Sequence, residues 1–331
     1  MVIDLHGHHI MKEMLGLDPH WGPHWKNGTI VVGDWVLGTK NARAARTADD
    51  ILGWMSIESR SKMMDELGID KLIVSVPSHM YMYWAGDFGT EFCRVTNDEF
   101  SKYCAPARER FGFWAHVPMH DPDSVVQEAE RAITQLGAVG IGIGGANFGG
   151  LEVYDEAFDP LWAKLVELKA PIFVHGYNQS VTWGAKANDD PFDTTSIVGM
   201  CHDETRAFWY FTNGGVFDRF PDLRVYITHA GGFVPYQLHR FHETNLTMAP
   251  DSKNQRPIAE YMENFYFDPL AHSAAMRRAI VEDIGVDRLL YGDNFGGADS
   301  IRFDLTQDLG LSDEDREKIR SGNAKKLLLN L

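Results

Sequence analysis

Two histidines separated by one residue follow the first apolar run of the chain, in the segment IDLHGHH that contains His6 and His8. Alternate residues of a β-strand point to the same side, so both imidazoles can bind one metal ion. On its own, such a pair is more often packed or solvated than ligating. The metal hypothesis therefore depends on what the other strands supply.

Three further apolar runs also end in a side chain that can bind a metal. These are His175 after Pro171–Val174, His229 after Leu223–Thr228 and Asp293 after Arg288–Gly292. The carboxyl ends of the strands of a parallel barrel share one face, where we expect these groups to meet. A buried histidine needs a hydrogen-bond partner and a buried aspartate needs a cation. The pattern predicts one divalent metal, Zn²⁺ in the first place and Mn²⁺ as the alternative.

Eight short apolar runs indicate the buried strands that would carry these groups. They are Val2–Leu5, Lys71–Val76, Phe111–Val117, Val139–Ile143, Pro171–Val174, Leu223–Thr228, Phe265–Phe267 and Arg288–Gly292. Amphipathic stretches such as Asp123–Leu136, Pro160–Lys169 and Ser273–Asp283 lie between them. This alternation favours parallel pairing through βαβ units and predicts an α/β fold, a (β/α)8 TIM barrel.

Two connections are longer than ordinary loops between a strand and a helix. Residues 10–67 predict an inserted lid subdomain after the first strand, and Asn178–Thr212 predict a second insertion. Both leave the carboxyl end of a strand, so both are expected to cover the site. A capping box at Ser312 and Asp315 predicts a C-terminal helix, and residues 1–331 are expected to form a single domain.

The composition excludes several classes of function. The 331 residues include 31 basic and 47 acidic side chains, a net charge of −16, which argues against nucleic-acid and anionic-membrane surfaces. An anionic substrate must therefore meet local positive charge. The sequence has no leader-like start and no long apolar span, which favours a cytoplasmic protein. Three widely spaced cysteines argue against disulfides and zinc–thiolate sites.

The segment Gly140–Gly145 matches the glycine spacing of dinucleotide-binding loops. Ala-Asn-Phe-Gly-Gly follows it, where a dinucleotide fold needs the N-terminus of a helix to hold the pyrophosphate. We therefore interpret these glycines as close packing at the end of a barrel strand.

Several motifs together resemble a known family. IDLHGHH, FVHG, ITHAGGFVPYQLHR, LLYGDN and the closing SGNAKKLL are similar to the metal-dependent barrels of the amidohydrolase superfamily, in the branch of 2-amino-3-carboxymuconate-6-semialdehyde decarboxylase. The resemblance covers nearly the whole chain and is specific for the branch, not for a substrate.

The resemblance implies a role for each matching residue. It implies that His6, His8, His175 and Asp293 bind one divalent metal, and that His229 beside it is the catalytic acid or base, with Asp293 as a proton relay. Arg60 and Arg240 would bind the carboxylate of a small-molecule substrate, because the guanidinium fork grips a carboxylate with two hydrogen bonds. In this family the second arginine reaches a neighbouring subunit, which implies a homodimer or higher homo-oligomer.

The leading hypothesis is a non-oxidative decarboxylase of an aromatic or unsaturated carboxylic acid. An ungapped match places Asn294 at the last ligand position, and we choose Asp293 because a carboxylate is the better ligand. A hydratase or C–C hydrolase of an unsaturated keto-acid is one alternative, because such enzymes of aromatic catabolism also begin with H-G-H. A metal-bearing subunit of a hetero-oligomeric metalloenzyme and an oxidative dinuclear site are the others.

Overall fold

The computed structural model describes residues 1–26, 29–32, 35–37, 55–177, 194–297 and 300–328. Its strands are β1 (Ile3–His8), β2 (His24–Lys26), β3 (Thr29–Val32), β4 (Trp35–Leu37), β5 (Lys71–Ser75), β6 (Phe111–His116), β7 (Gly140–Gly144), β8 (Ile172–His175), β9 (Val225–Ile227) and β10 (Phe265–Phe267). Seven of them form one parallel sheet in the order β1-β5-β6-β7-β8-β9-β10. The predicted α/β fold with parallel strands is therefore confirmed.

The eighth predicted strand, Arg288–Gly292, differs from the expectation. Within the described residues this segment joins the sheet edges only at isolated positions, where Leu289 bridges β10 and Phe295 bridges Gly7 of β1. One hydrogen bond, from Leu290 N to Phe267 O at 2.8 Å, connects it to β10. On the β1 side, Leu5 N donates to Tyr291 O at 3.0 Å, and Phe295 exchanges two hydrogen bonds of 2.8 Å with His6 O and His8 N. The segment thus contacts both edge strands without forming the continuous ladder that defines a strand.

The helices follow the strands in alternation. They are α1 (Ile57–Leu67), α2 (Asp87–Cys104), α3 (Pro122–Arg131), α4 (Asp159–Leu168), α5 (Met200–Asn213), α6 (Val216–Arg219), α7 (Val234–Met248), α8 (Ile258–Tyr261), α9 (Ala274–Ile284), α10 (Asp313–Glu317) and α11 (Asn323–Leu327). The three helices predicted by amphipathic pattern are confirmed as α3 with the turn that extends it, α4 and α9. The Ser312 hydroxyl accepts from the Asp315 amide, which confirms the predicted cap of the C-terminal helix.

The first predicted insertion contains regular structure of its own. Strands β2, β3 and β4 form a small antiparallel sheet, and α1 follows it, with Ser56 as its N-cap. Gly68 ends α1 with a φ of 70°, in the left-handed region that favours glycine. Residues 27–28, 33–34 and 38–54 lie outside the described residues. That this insertion acts as a lid stays a prediction.

The second predicted insertion is shorter than expected. Residues 200–213 form α5, which packs beside β8 and belongs to the alternation of strands and helices. Residues 178–193 lie outside the described residues. The prediction of an insertion over the whole of Asn178–Thr212 is therefore wrong at its C-terminal end. No capping residue marks the start of α5 at Met200, because the chain enters it from the π-helical turn Thr195–Gly199, in which Gly199 already has helical dihedrals.

Close packing explains the glycines of β7. A Cβ atom on Gly140 would lie 2.3 Å from the Pro171 carbonyl oxygen and 2.8 Å from the Trp114 ring. The Trp114 indole stacks on Phe173, with ring centroids 5.3 Å apart, and donates to the Leu5 carbonyl at 3.0 Å. These side chains fill the space that the strands enclose, so β7 can lie here only with glycine at position 140. No helix in the described parts of the chain is long and apolar enough to span a membrane.

Candidate metal centre

Three buried histidines meet at the carboxyl ends of the strands. His6 and His8 alternate along β1 and His175 ends β8, with exposures of 0%, 6% and 3%. Their potential ligand atoms lie within 4.8 Å of one another, close enough to share one ion. The ring centroids of His6 and His8 lie 5.1 and 4.9 Å from that of His175. The structure thus brings together three of the predicted ligands.

Each of these rings has a hydrogen-bond partner within the protein at its Nδ1 atom. His6 Nδ1 lies 3.1 Å from Asp268 Oδ2, and His175 Nδ1 lies 2.6 Å from the carbonyl oxygen of Gly176. His8 Nδ1 lies 3.3 Å from the Ser75 hydroxyl. A second partner of this kind fixes the tautomer and the orientation of a ligating histidine. The three Nε2 atoms are therefore the ones that can bind a metal.

Burial keeps His6 and His8 neutral. Desolvation, and then the neighbouring imidazoles, hold the pKa of His6 and of His8 well below the usual 6.5. The neutral ring is the form that binds a metal. The Nε2 atom of His6 is buried and has no hydrogen-bond partner among the described residues. A divalent cation at this position would satisfy it, so the residues present fit the predicted metal.

Asp293 lies in the same buried region. Its side chain is 1% exposed, and neither carboxylate oxygen has a hydrogen-bond partner among the residues that the structure describes. Desolvation raises the pKa of Asp293 to about 7, against the lowering effect of the neighbouring Asp4 side chain and then of Arg60. The Asp293 amide donates to Asp4 Oδ1 at 3.4 Å. Asp293 is not part of the three-histidine group in the structure, so its role as a ligand stays a prediction.

The neighbouring residue Asn294 has a different environment. It is 5% exposed and its backbone has a φ of 59°, in the left-handed region that asparagine tolerates better than most residues. The side chain packs against Gly297, where a Cβ atom would lie 2.1 Å from Asn294 Oδ1. The choice of Asp293 over Asn294 as the last ligand stays a prediction.

His229 stands beside the three histidines at the end of β9. Its ring centroid lies 4.8 Å from that of His6 and 5.0 Å from that of His175. Its Nδ1 atom lies 2.7 Å from Glu204 Oε1. The backbone is left-handed at His229 (φ 48°) and at Ala230 (φ 56°), a conformation that is uncommon outside glycine and is often found at functional sites. The structure thus places His229 next to the predicted metal ligands.

The two predicted substrate arginines have different surroundings. Arg60 is fully buried, donates to the His8 carbonyl at 2.7 Å and lies over the Phe295 ring at 5.0 Å. Burial lowers its pKa to about 10, which leaves it charged at neutral pH. Arg240 is exposed on α7, where it donates to Gln237 at 3.5 Å. The structure therefore does not place both arginines in one buried site of a single chain.

Comparison with known proteins assigns the family. Residues 3–329 match the sequence profile described as amidohydrolase. The chain belongs to the amidohydrolase family. The resemblance recognised in IDLHGHH and the other motifs is therefore confirmed.

Relatives of this amidohydrolase include named decarboxylases. It is 29% identical to gamma-resorcylate decarboxylase of Polaromonas sp. (strain JS666), over 82% of this chain and 86% of that protein. It is 26% identical to 2-amino-3-carboxymuconate-6-semialdehyde decarboxylase of Dictyostelium discoideum, over 88% and 81%. It is also 24% identical to 2-keto-4-carboxy-3-hexenedioate hydratase of Sphingobium sp. (strain NBRC 103272 / SYK-6), over 100% and 97%.

A solved structure shares the fold of this amidohydrolase. Dihydroxybenzoic acid decarboxylase from Polaromonas sp. JS666, with bound manganese and the inhibitor 2-nitroresorcinol, matches with a TM-score of 0.75. The match covers 99% of this chain and 97% of that one at 21% identity. At this identity the likeness concerns the fold alone.

Sequence reasoning missed two carboxylates of this amidohydrolase site. Asp268 directly follows β10, so it carries the same strand-end signal that identified His175 and could have been found. Glu204 lies inside α5, in a segment that the sequence assigned to an insertion. Both are fully buried, and each contacts the Nδ1 atom of a site histidine. The histidines of this site therefore depend on carboxylates from other elements.

Proposed function

We propose that this amidohydrolase is a metal-dependent, non-oxidative decarboxylase of an aromatic or unsaturated carboxylic acid. The observation that carries the proposal is the group of three buried histidines with His229 beside it, 4.8 Å from His6 between ring centroids. The named decarboxylases among the relatives support the reaction class. The substrate would be a small-molecule carboxylate, as in the structures of relatives.

His6, His8, His175 and Asp293 would hold one divalent metal. When bound, such an ion supplies a Lewis acid and a template for substrate oxygens. Zn²⁺ suits histidine and carboxylate ligands, and Mn²⁺ is supported by the manganese in the related decarboxylase. Metal analysis of the purified protein distinguishes the two.

His229 would transfer the proton that replaces the carboxyl group. Its Nδ1 atom faces Glu204, so the proton would pass through Nε2, which must take it up from Asp293 or solvent before delivering it to the substrate carbon. Protonation of the carbon that bears the carboxylate makes this carbon tetrahedral. Carbon dioxide then leaves, and the electron pair of the broken bond returns to the conjugated system. The reaction consumes one proton and needs no redox cofactor, and Asp293 would relay the proton.

Arg60 and Arg240 would bind the substrate carboxylate. Arg60 brings a fully buried positive charge next to Asp293 in a protein whose net charge is −16. Arg240 is exposed on α7, a position from which it can serve the site of a second copy of the chain. We therefore propose a homodimer or a higher homo-oligomer in which Arg240 acts in trans.

Finer features of the fold belong to the same proposal. Residues 289–295 would supply the eighth position of a (β/α)8 barrel, supported by their hydrogen bonds to β10 and β1. Residues 10–67 would form a lid within a single domain that spans 1–331. The expected cytoplasmic location also stays a prediction.

A hydratase or C–C hydrolase is the second candidate. The hydratase relative from Sphingobium, which matches the whole chain, favours it. Such an enzyme would use the same histidines but would add water to an unsaturated keto-acid. A subunit that is active only in a hetero-oligomer would instead show no turnover until its partner chain is added.

Product analysis tests the proposal. The metal-replete protein is incubated in heavy-oxygen water with hydroxybenzoates, muconate semialdehydes and unsaturated keto-acids, and carbon dioxide and product mass are followed together. A decarboxylase releases carbon dioxide, and its product lacks the carboxyl mass. A product that carries heavy oxygen and retains every carboxyl group would refute decarboxylation and establish the second candidate.

A further inference from the structure

Glu204 is a buried carboxylate that contacts three parts of the site at once. It lies in the middle of α5 and is fully buried. Its Oε1 atom accepts from the Thr228 hydroxyl at 2.6 Å and from the Gly176 amide at 3.1 Å, and it lies 2.7 Å from His229 Nδ1. Its Oε2 atom has no hydrogen-bond partner among the described residues. Among the described residues, all hydrogen-bond partners of this side chain therefore share one oxygen.

We propose that Glu204 is the positioning residue for His229: it holds the imidazole as the Nδ1–H tautomer, so that Nε2 is the atom that exchanges a proton with the substrate. This inference rests on the proposed function for the role of Nε2. It concerns the chain's own hydrogen bonds, however, and these can be measured without a substrate.

The hydrogen-bond inventory of Glu204 dictates the tautomer. An ionised carboxylate only accepts hydrogen bonds, and the two other groups at Oε1, the Thr228 hydroxyl and the Gly176 amide, both donate to it. The Gly176 amide can only donate, so Oε1 is already an acceptor and cannot supply the hydrogen of the His229 contact. His229 Nδ1 must therefore carry the hydrogen in its contact with Oε1. In the neutral ring, the lone pair then lies on Nε2.

The Oε1 atom of Glu204 also holds the imidazole ring of His229 in position. His229 has a left-handed backbone with a φ of 48°, which a non-glycine residue keeps only when its surroundings hold it. Glu204 binds both Thr228 and His229, the two residues that enter this turn. Its contact with the Gly176 amide links the turn to the end of β8, next to His175. Glu204 is thus one of the side chains that set the distance between His229 and the predicted metal ligands.

Three substitutions separate the contributions of Glu204. Glu204→Gln retains an oxygen that can accept from Nδ1 but removes the charge. Glu204→Leu removes both the acceptor and the charge, and Glu204→Asp retains the charge on a shorter side chain. Glu128→Gln is the matched control, because Glu128 is a buried glutamate whose partners are Asn97 and Arg131 rather than a histidine.

Nitrogen NMR of the zinc-loaded protein measures the tautomer directly. With ¹⁵N-labelled histidine, the His229 signals are identified by their loss in His229→Ala. We expect a proton on Nδ1 and none on Nε2 in the wild type, in Glu204→Gln and in Glu128→Gln. In Glu204→Leu, this preference should be lost. Zinc content is measured in each sample, so that an altered metal site is not mistaken for an altered tautomer.

Turnover separates positioning from a structural role. Per metal-loaded protein, Glu204→Leu should lose about 10²–10⁴-fold in kcat, the range seen when a catalytic histidine loses its orienting carboxylate or its function as acid or base. KM should stay within about threefold, because Glu204 is fully buried and acts through His229. The kcat of Glu204→Gln should be at least roughly tenfold higher than that of Glu204→Leu, which is about the contribution of one hydrogen bond.

Two results would overturn the proposal. One is a wild-type His229 that carries its proton on Nε2. The other is a Glu204→Leu protein that keeps either the wild-type tautomer or the wild-type kcat. If Glu204→Leu does not fold, Glu204→Asp replaces it, and unchanged kcat and tautomer in that variant count against the proposal. If the wild type releases no carbon dioxide from any acid, the proposed function fails, while the NMR experiment still decides the tautomer.

Discussion

The Nδ1 atom of His6 lies 3.1 Å from Oδ2 of Asp268, and both side chains are fully buried. Asp268 also accepts from the Tyr226 hydroxyl at 2.8 Å and from the Ala230 amide at 3.1 Å. One carboxylate therefore orients a predicted metal ligand and holds the turn that carries His229. Carboxylate partners of this kind raise the basicity of a ligating histidine.

Loss of this carboxylate should weaken metal binding. We expect Asp268→Asn to bind Zn²⁺ roughly 10–100-fold more weakly, the usual effect of removing such a partner. Competition with a chromogenic chelator measures the change. Tyr226→Phe is the matched control, because it removes one hydrogen bond to Asp268 and leaves the charge. Equal zinc affinity in Asp268→Asn and the wild type would show that Asp268 does not support His6.

Removal of the His229 imidazole should abolish proton transfer without emptying the metal site. His229→Ala should keep its metal content and its far-UV circular dichroism but lose about 10²–10⁴-fold in turnover, the usual contribution of a general acid or base. His79→Ala is the comparison: His79 lies near His175, and burial lowers its pKa to about 4, but it has no role in the proposed reaction. Undiminished turnover in His229→Ala would remove it from the mechanism.

Metal affinity should depend on pH through Asp293. Desolvation raises the pKa of this carboxyl to about 7, so below that pH a metal must displace a proton from it. Protonation of His6 and His8 should not change the zinc affinity near pH 7, because their pKa values lie well below 6.5. The zinc dissociation constant should therefore rise roughly tenfold for each unit of pH below about 7 and level off above it.

The Asp293→Asn variant tests whether Asp293 causes this pH dependence of zinc binding. Its amide does not titrate, so the slope below pH 7 should disappear, while affinity at high pH falls because a charged ligand is lost. Isothermal titration in buffers of different ionisation enthalpy gives the number of protons released. If the variant keeps the slope of the wild type, another group is responsible.

The sequence predicts the strands and the histidines of this site well, and the reason is physical. A strand buried on both faces is a short apolar run, and its last residue points to the carboxyl face, so His6 and His175 could be located from spacing alone. Asp268 carries the same signal after β10.

Other features depend on contacts between distant residues. Glu204 and His229 are 25 residues apart in the sequence, although their side chains are in contact. No local sequence pattern predicts that a buried face of α5 carries a polar side chain. The segment after α9 has the apolar composition of a strand, but its bridges to β10 and β1 occur at single positions. Composition predicts burial for such a segment and cannot predict the number of its hydrogen bonds.

The glycines of β7 can be tested by substitution. Gly140→Ala places a Cβ atom 2.3 Å from the Pro171 carbonyl oxygen, and backbone cannot move aside cheaply. We expect the free energy of unfolding to fall by about 1–3 kcal/mol, as in other overpacked interiors. Gly322→Ala is the control: its φ is −59° and its Cβ would meet nothing nearer than 3.5 Å, so stability should hold or rise. Urea unfolding at a fixed metal concentration measures both, and an unchanged Gly140→Ala midpoint would contradict the packing interpretation.

Arg240 allows a test of whether one site needs two chains. If Arg240 serves the neighbouring subunit, Arg240→Ala homo-oligomers lack the arginine in every site, and His175→Ala homo-oligomers lack a metal ligand in every site. In a mixed dimer, the site of the Arg240→Ala chain keeps its own His175 and receives Arg240 from the His175→Ala chain. That one site is therefore complete. We therefore expect activity to return when the two inactive variants are unfolded together and refolded.

The size of the rescue can be calculated from random pairing. In a dimer mixed in equal amounts, about half of the molecules are hybrids, and each has one intact site, so activity should approach about one quarter of the wild type. Arg60→Ala mixed with His175→Ala provides the contrast. Arg60 donates to His8 of its own chain, so its hybrids are damaged in both sites and should stay inactive. Equal rescue in the two mixtures, or none in the first, would argue that Arg240 acts within its own chain or not at all.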